Sequence, residues 1–149
     1  MGAVADFLSP EDVFVDLVAP DKQRLLQVLA YRAANRLGLD ENLVAQEVLE
    51  REALGSTGVG QGVAIPHARL RVLQKPFAMA ARLKRPLDFD AIDGVPVDVV
   101  FLLLMPEDQA SAQMNLMAAV ARKLRTGDTL PSIRKASDPT ALFAILTAG

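Results

Sequence analysis

Val97–Pro106 reads VDVVFLLLMP, and after Asp98 its seven apolar residues run unbroken to the proline. That is strand length, far below the roughly 20 residues a membrane-spanning helix needs. A run without alternation suits a strand covered on both faces, because neither set of side chains then meets water. The stretch therefore predicts the central strand of a sheet with structure layered on each side.

The flanking segments supply those layers. Upstream, VFVDLV reads as a short strand ended by Ala19-Pro20. Asp21 can then cap a helix through KQRLLQVLAYRAANRL, with Leu25, Leu26, Leu29, Ala33 and Leu37 on one face and Gly38 as the stop. Asp40 precedes a second helix, ENLVAQEVLEREAL, with Leu43, Val44, Val48 and Leu49 as its apolar stripe and Gly55 at its end. VAIP is too short and too β-branched to be much other than strand, and most of PFAMAARLKRPLDF also reads as strand. Gly94 and Pro96 mark a turn before the central run. Beyond it, EDQASAQMNLMAAVARKLR predicts a helix, with Met114, Met117, Ala118, Ala121 and Leu124 on the core side and Gly127 as the close. Two short helices finish the chain, the last begun by Asp138 with Pro139 in its first turn. Strands and helices alternate with no repeat and no Pro-, Gly- or Ser-rich linker. The expectation is one α/β domain over residues 1–149, with helices on both faces of its sheet.

Composition removes several chemistries. The chain has no cysteine, which excludes thiol nucleophiles, thiolate-ligated metals and disulfides. A net charge of −2 argues against nucleic-acid binding, which calls for a basic surplus. The N-terminal stretch is broken by Asp6, Glu11, Asp12 and Asp16 and so does not read as a signal peptide. With no apolar run of spanning length, a cytoplasmic protein without membrane insertion is expected.

The chemistry gathers in Gly55–Leu70, GSTGVGQGVAIPHARL, which holds four glycines and the sole histidine. It is not a Walker loop, because Gly62 is followed by Val63-Ala64 rather than by Lys and Ser or Thr. Nor is it a dinucleotide loop, because here a helix precedes the glycines and a strand follows them. Ser56 and Ser111 lack a G-x-S-x-G elbow, and one histidine cannot build a two-histidine metal site. Asp88, Asp90 and Asp93 fit a solvated turn better than acid–base work.

His67 follows an apolar strand and a proline, which holds its imidazole at a strand end. Arg69 and Arg71 follow it, Arg51 and Glu52 end the preceding helix, and Ser56-Thr57 open the glycine loop. Guanidinium forks bind phosphoryl oxygens at two points, and glycine-lined backbone can approach an anion closely. A neutral imidazole nitrogen is a nucleophile. The grouping suits a histidine that accepts a phosphoryl group, and a structural histidine above a flexible turn is the competing reading.

GSTGVGQGVAIPHA resembles the active-site motif of the type-2 EIIA domains of the bacterial phosphoenolpyruvate-dependent phosphotransferase system, the fructose/mannitol class. The resemblance extends from LSPEDVFVDL through FDAIDGVPVDVVFLLLMP to the last helix. Within the class, the GSTG opening and the FDAIDGVPVD segment are most similar to the free-standing nitrogen-regulatory EIIA proteins, as is the lack of a fused transporter or carrier domain.

The resemblance implies a mixed sheet of about five strands flanked by helices, and a phosphocarrier rather than a conventional turnover enzyme. It implies that His67 Nε2 takes the phosphoryl group, as a tele-phosphohistidine, from an HPr-like carrier protein. Arg51 matches the family arginine beside that histidine, and Ser56 and Thr57 match polar loop positions near the phosphate. No metal or other cofactor is implied. Many members carry a second histidine near the start of the helix after the central strand, where this chain has Gln113 and Asn115; an amide can donate to a phosphoryl oxygen but carries no charge. The implied partner beyond the carrier is either a target protein governed by phosphorylation state or the EIIB domain of a sugar transporter.

Overall fold

The computed structural model describes residues 3–108 and 110–148; the side chains of residues 110, 112 and 113 lie outside that description. After a single 3-10 turn at Val4–Asp6, the elements are β1 (Leu8–Leu17), α1 (Lys22–Leu37), α2 (Glu41–Leu54), β2 (Gly58–Gly60), β3 (Val63–Ala64), β4 (His67–Leu70), β5 (Phe77–Leu87), β6 (Val97–Pro106), α3 (Ala110–Arg125), α4 (Thr129–Lys135) and α5 (Pro139–Thr147).

The sheet runs β1-β5-β6-β3-β2, with β4 also paired to β6. β1 is parallel to β5, β5 antiparallel to β6, β6 parallel to both β3 and β4, and β3 antiparallel to β2. The sheet is thus mixed, as expected. Its six strands occupy five places, because β3 and β4 lie one after the other along the same side of β6. The predicted central strand is the middle one. Its side chains divide between two cores: Val100, Leu102 and Leu104 pack under α1 and α2, and Phe101, Leu103 and Met105 pack under α3, α4 and α5. Burial on both faces is why its sequence does not alternate.

The helix boundaries follow from local chemistry. The Asp21 carboxylate accepts from the Arg24 N–H at 2.8 Å, and Gly38 closes α1 in the left-handed region at φ 69°. Asp40 caps α2 through the Asn42 N–H at 2.9 Å, and Asp138 caps α5 through the Ala141 N–H at 2.8 Å. Inside, the Arg36 fork from α1 holds Asp12 of β1, with Nε at 2.6 Å and Nη2 at 3.1 Å.

Several expectations are corrected. The first strand is longer than VFVDLV, beginning at Leu8. VAIP is strand only at Val63–Ala64; the chain breaks at Ile65-Pro66 and resumes as β4, so His67 opens a strand instead of standing past one. Gly58–Gly60 is itself a strand, folded back on β3 by a turn through Gln61 and Gly62. Leu43 is exposed on α2. Among the described residues of α3, Leu116, Ala119 and Val120 are buried and Met117 and Leu124 pack against the same core as expected, whereas Met114 is 72% exposed. Two overlapping apolar stripes are available on that alanine- and methionine-rich helix, and the sheet takes the one led by Leu116.

Candidate functional site

Two elements bring the site together. α2 packs against β4, which lays the last turn of the helix beside the start of the strand. Arg51 in that turn and His67 at the strand's first position line one cleft of about 1070 Å³, together with Arg69 and Arg71. Leu54, 85% exposed, and Val72, 54% exposed, form its apolar rim. Glu47, Glu50 and Glu107 share the lining, the last 3.4 Å from Arg71 Nε, so an anion entering beside the histidine is met chiefly by Arg51 and Arg69, and the apolar rim can seat the partner that brings it.

The histidine is held in a defined state. Its Nδ1 lies 2.9 Å from the Ile65 carbonyl oxygen. A carbonyl only accepts, so Nδ1 carries the proton and Nε2 keeps the lone pair. The strand break makes this possible: Pro66 has no N–H, its carbonyl accepts from Leu103 of β6 at 2.9 Å, and the Ile65 carbonyl remains for the ring.

Arg51 donates from Nη1 to the Gly55 carbonyl at 3.0 Å. Its neighbour Glu52 does not share the cleft. The Glu52 carboxylate turns inward, 5% exposed, and accepts from the Thr57 N–H at 2.9 Å, the Thr57 hydroxyl at 2.6 Å and Lys22 Nζ at 2.7 Å. Lys22 Nζ also donates to the Phe89 carbonyl at 3.3 Å and stands 5.1 Å from the centre of the Phe89 ring. The Ser56 hydroxyl donates to the same Phe89 carbonyl and accepts from the Gly58 N–H at 3.1 Å. Ser56 and Thr57 therefore fasten the start of the glycine segment to α1, α2 and the loop before β6, and neither lines the cleft with His67. Gln113 has its side chain outside the described residues, and Asn115 is exposed on α3.

The glycines serve the β2–β3 hairpin. Gly60 and Gly62 adopt φ 100° and 81°, and a Cβ on Gly58 would meet the Ala91 Cβ at 2.8 Å. Val63 pairs with Val99 and His67 with Leu103, so the hairpin turn lies about four residues, or roughly 13 Å, back along β6 from the histidine. That end has its own cleft of about 900 Å³, bordered by Gly62, Asp98 and Arg134. Glycine conformation thus builds the edge of the sheet rather than a cradle at the imidazole. Composition alone could not separate the two, because both need positive φ.

Among the described residues, no three His, Asp or Glu side chains group as a metal site, and no helix is long and apolar enough to cross a membrane.

The family of the phosphoenolpyruvate-dependent sugar phosphotransferase system, EIIA 2, matches residues 6–149. A nitrogen regulatory protein of Bradyrhizobium diazoefficiens is 43% identical over 96% of this chain and 94% of its own. One from Pseudomonas aeruginosa is 37% identical over 93% of this chain and 91% of its own. The crystal structure of nitrogen regulatory protein IIA-Ntr from Neisseria meningitidis superposes with a TM-score of 0.90 at 31% identity, covering 97% of this chain and 99% of that one.

Proposed function

The chain belongs to the EIIA type-2 family of the phosphoenolpyruvate-dependent sugar phosphotransferase system, and from that premise we propose that it is a regulatory phosphocarrier of the nitrogen-related branch. An HPr-like protein donates a phosphoryl group to His67, and the phosphorylation state of His67 governs which target proteins bind. The reading is supported by the hydrogen bond from His67 Nδ1 to the Ile65 carbonyl, which leaves the Nε2 lone pair available on a residue that shares its cleft with Arg51 and Arg69.

The Nε2 lone pair attacks phosphorus as the P–N bond of the donor phosphohistidine breaks, and that bonding pair returns to the donor's ring nitrogen. His67 keeps its Nδ1 proton, so positive charge develops on its ring as it leaves the donor's. The Ile65 carbonyl, fixed at Nδ1, faces that charge. Arg51 turns from the Gly55 carbonyl to the phosphoryl oxygens, and Arg69 adds positive charge to the same cleft. Positioning and charge stabilisation then account for the transfer. Ser56 and Thr57 contribute by holding the loop between Arg51 and His67. In the phosphorylated form, a dianionic group sits within an apolar rim, which alters the surface that targets meet.

The test is phosphorylation by phosphoenolpyruvate, enzyme I and an HPr-like carrier. An acid-labile, alkali-stable phosphate is expected on the wild type and none on His67→Ala. A wild type that stays unlabelled, or equal labelling of the variant, overturns the reading. Adding EIIB domains of the fructose or mannitol type separates regulation from sugar transport, because efficient onward transfer would assign the protein to the latter.

A further inference from the structure

A line of hydrogen bonds joins the buried end of α2 to the histidine. The Glu52 carboxylate holds Thr57 by both its N–H, at 2.9 Å, and its hydroxyl, at 2.6 Å. The Thr57 carbonyl accepts from the Ile65 N–H at 3.0 Å. The Ile65 carbonyl accepts from His67 Nδ1 at 2.9 Å. Thr57 and Ile65, the two middle residues of the line, are thereby fixed on both sides. We propose that Glu52 is a positioning residue for His67, acting through Thr57 and Ile65 to keep the proton on Nδ1 and the lone pair on Nε2.

The charge state of Glu52 suits that role. Its side chain is 5% exposed and has three donors, two from Thr57 and one from Lys22 at 2.7 Å. An ionised carboxylate is acceptor-only, so it can take all three without a clash, whereas an amide would turn donors toward donors. Both Thr57 donors meet one rigid acceptor, which orients the Thr57 carbonyl. Ile65 and Pro66 lie between β3 and β4; β6 holds Pro66 through the Leu103 N–H, but no strand pairing holds Ile65. The Thr57 bond supplies that missing restraint, and without it the Ile65 carbonyl can rotate away from the ring. The imidazole then loses its reason to protonate Nδ1 and takes up the other tautomer, whose Nε2 cannot attack.

This inference rests on the proposed role of His67 as acceptor, but its primary readout needs no phosphoryl donor. His67 is the only histidine, so the ring ¹⁵N resonances of labelled protein report its tautomer without ambiguity. Above the imidazole titration range, the wild type is expected to show predominantly Nδ1–H. Glu52→Gln and Thr57→Val should raise the Nε2–H share and slow phosphoryl uptake about tenfold, with amide spectra still those of a folded protein. Thr57→Ser, which keeps the hydroxyl, should restore the wild-type ring spectrum. Should Glu52→Gln fail to fold, Thr57→Val and its serine counterpart carry the comparison. Folded variants with the wild-type tautomer and wild-type uptake would overturn the proposal and leave Glu52 as a clasp between α1 and α2. A wild type that accepts no phosphate overturns the proposed function instead, and the ring spectra still decide the positioning role.

Discussion

Arg51 and Glu52 leave the last turn of α2 in different directions: the guanidinium lines the cleft shared with His67, and the carboxylate is buried against Thr57. About 100° of helix rotation between neighbours makes one residue available to a ligand and the other to the core. Arg51 is half-buried at the cleft, and among the described residues its hydrogen bond goes to the Gly55 carbonyl, so its removal leaves no buried group without a partner. Arg51→Ala is expected to slow phosphoryl uptake by about 100-fold, the scale for losing one preorganised charge-stabilising donor. Its thermal midpoint should stay close to wild type. Unchanged uptake, measured by quenched labelling, would remove the arginine from the reaction.

The glycines of the hairpin and the glycine after α2 should respond differently to substitution. Gly62 sits at φ 81°, and a Cβ there would lie 2.5 Å from Arg134 Nη2 and 3.1 Å from Asp98 Oδ1. Gly62→Ala should cost about 1–3 kcal/mol from the strained backbone, with more from disturbing the Arg134–Asp98 pair. Gly55 has nothing within 4 Å of the same position, so Gly55→Ala should change stability by less than about 0.5 kcal/mol. Urea unfolding of the two variants measures both. Equal losses would contradict the separation of hairpin from site.

The Arg36–Asp12 pair predicts an asymmetry. Asp12 is 1% exposed, while the Arg36 side chain is 41% exposed. The bond to Asp12 raises the Arg36 pKa above its usual value, so the guanidinium stays charged throughout. Arg36→Ala strands a buried carboxylate, whereas Asp12→Ala leaves a cation that can reach water. The first variant should therefore melt at the lower temperature, and calorimetry showing the reverse order would contradict the assignment.

The parts of this fold that were legible in the sequence are those whose cause is local. Asp21 with Gly38, Asp40, and Asp138 with Pro139 mark helix ends within a few residues of themselves, and the helices begin and stop there. The unbroken run at Val99–Met105 declared its two-sided burial. β2 was not legible, because Gly-Val-Gly has little intrinsic strand preference and becomes a strand only by pairing with β3. β4 was not read either: His-Ala-Arg-Leu is only four residues long, and its strand character comes from pairing with β6. At the site, His67 stood out as the sole imidazole after a proline. Glu52 did not, because its inward direction depends on where α2 ends and on Thr57 being drawn back over it. On α3 the expected stripe holds at Met117 and Leu124, which pack against the core, and misses at Met114, because periodicity gives a sharp face only when the opposite face is polar.

Asp93 gives the hairpin a pH dependence of determinable sign. Its carboxylate accepts from the Gln61 N–H at 2.9 Å and from the Val95 N–H at 3.1 Å, tying the turn after β2 to the loop before β6. Gln61 holds φ 59°, so the turn needs that anchor. These bonds, the one from Gln61 foremost, favour the ionised form and lower the Asp93 pKa below its usual value. A carboxylate with a lowered folded-state pKa contributes its full stabilisation above the unfolded value, near 4, and loses it as pH falls through the folded value. Asp93→Asn removes that titration while keeping one acceptor oxygen. The wild type should therefore exceed the variant in urea midpoint at neutral pH, and the gap should close on acidification below about pH 4. The ring spectrum of His67 should be the same in both proteins, because Asp93 holds the far end of the β3–β4 edge. A gap that persists unchanged into acid would show that the carboxylate's charge is not what anchors the turn.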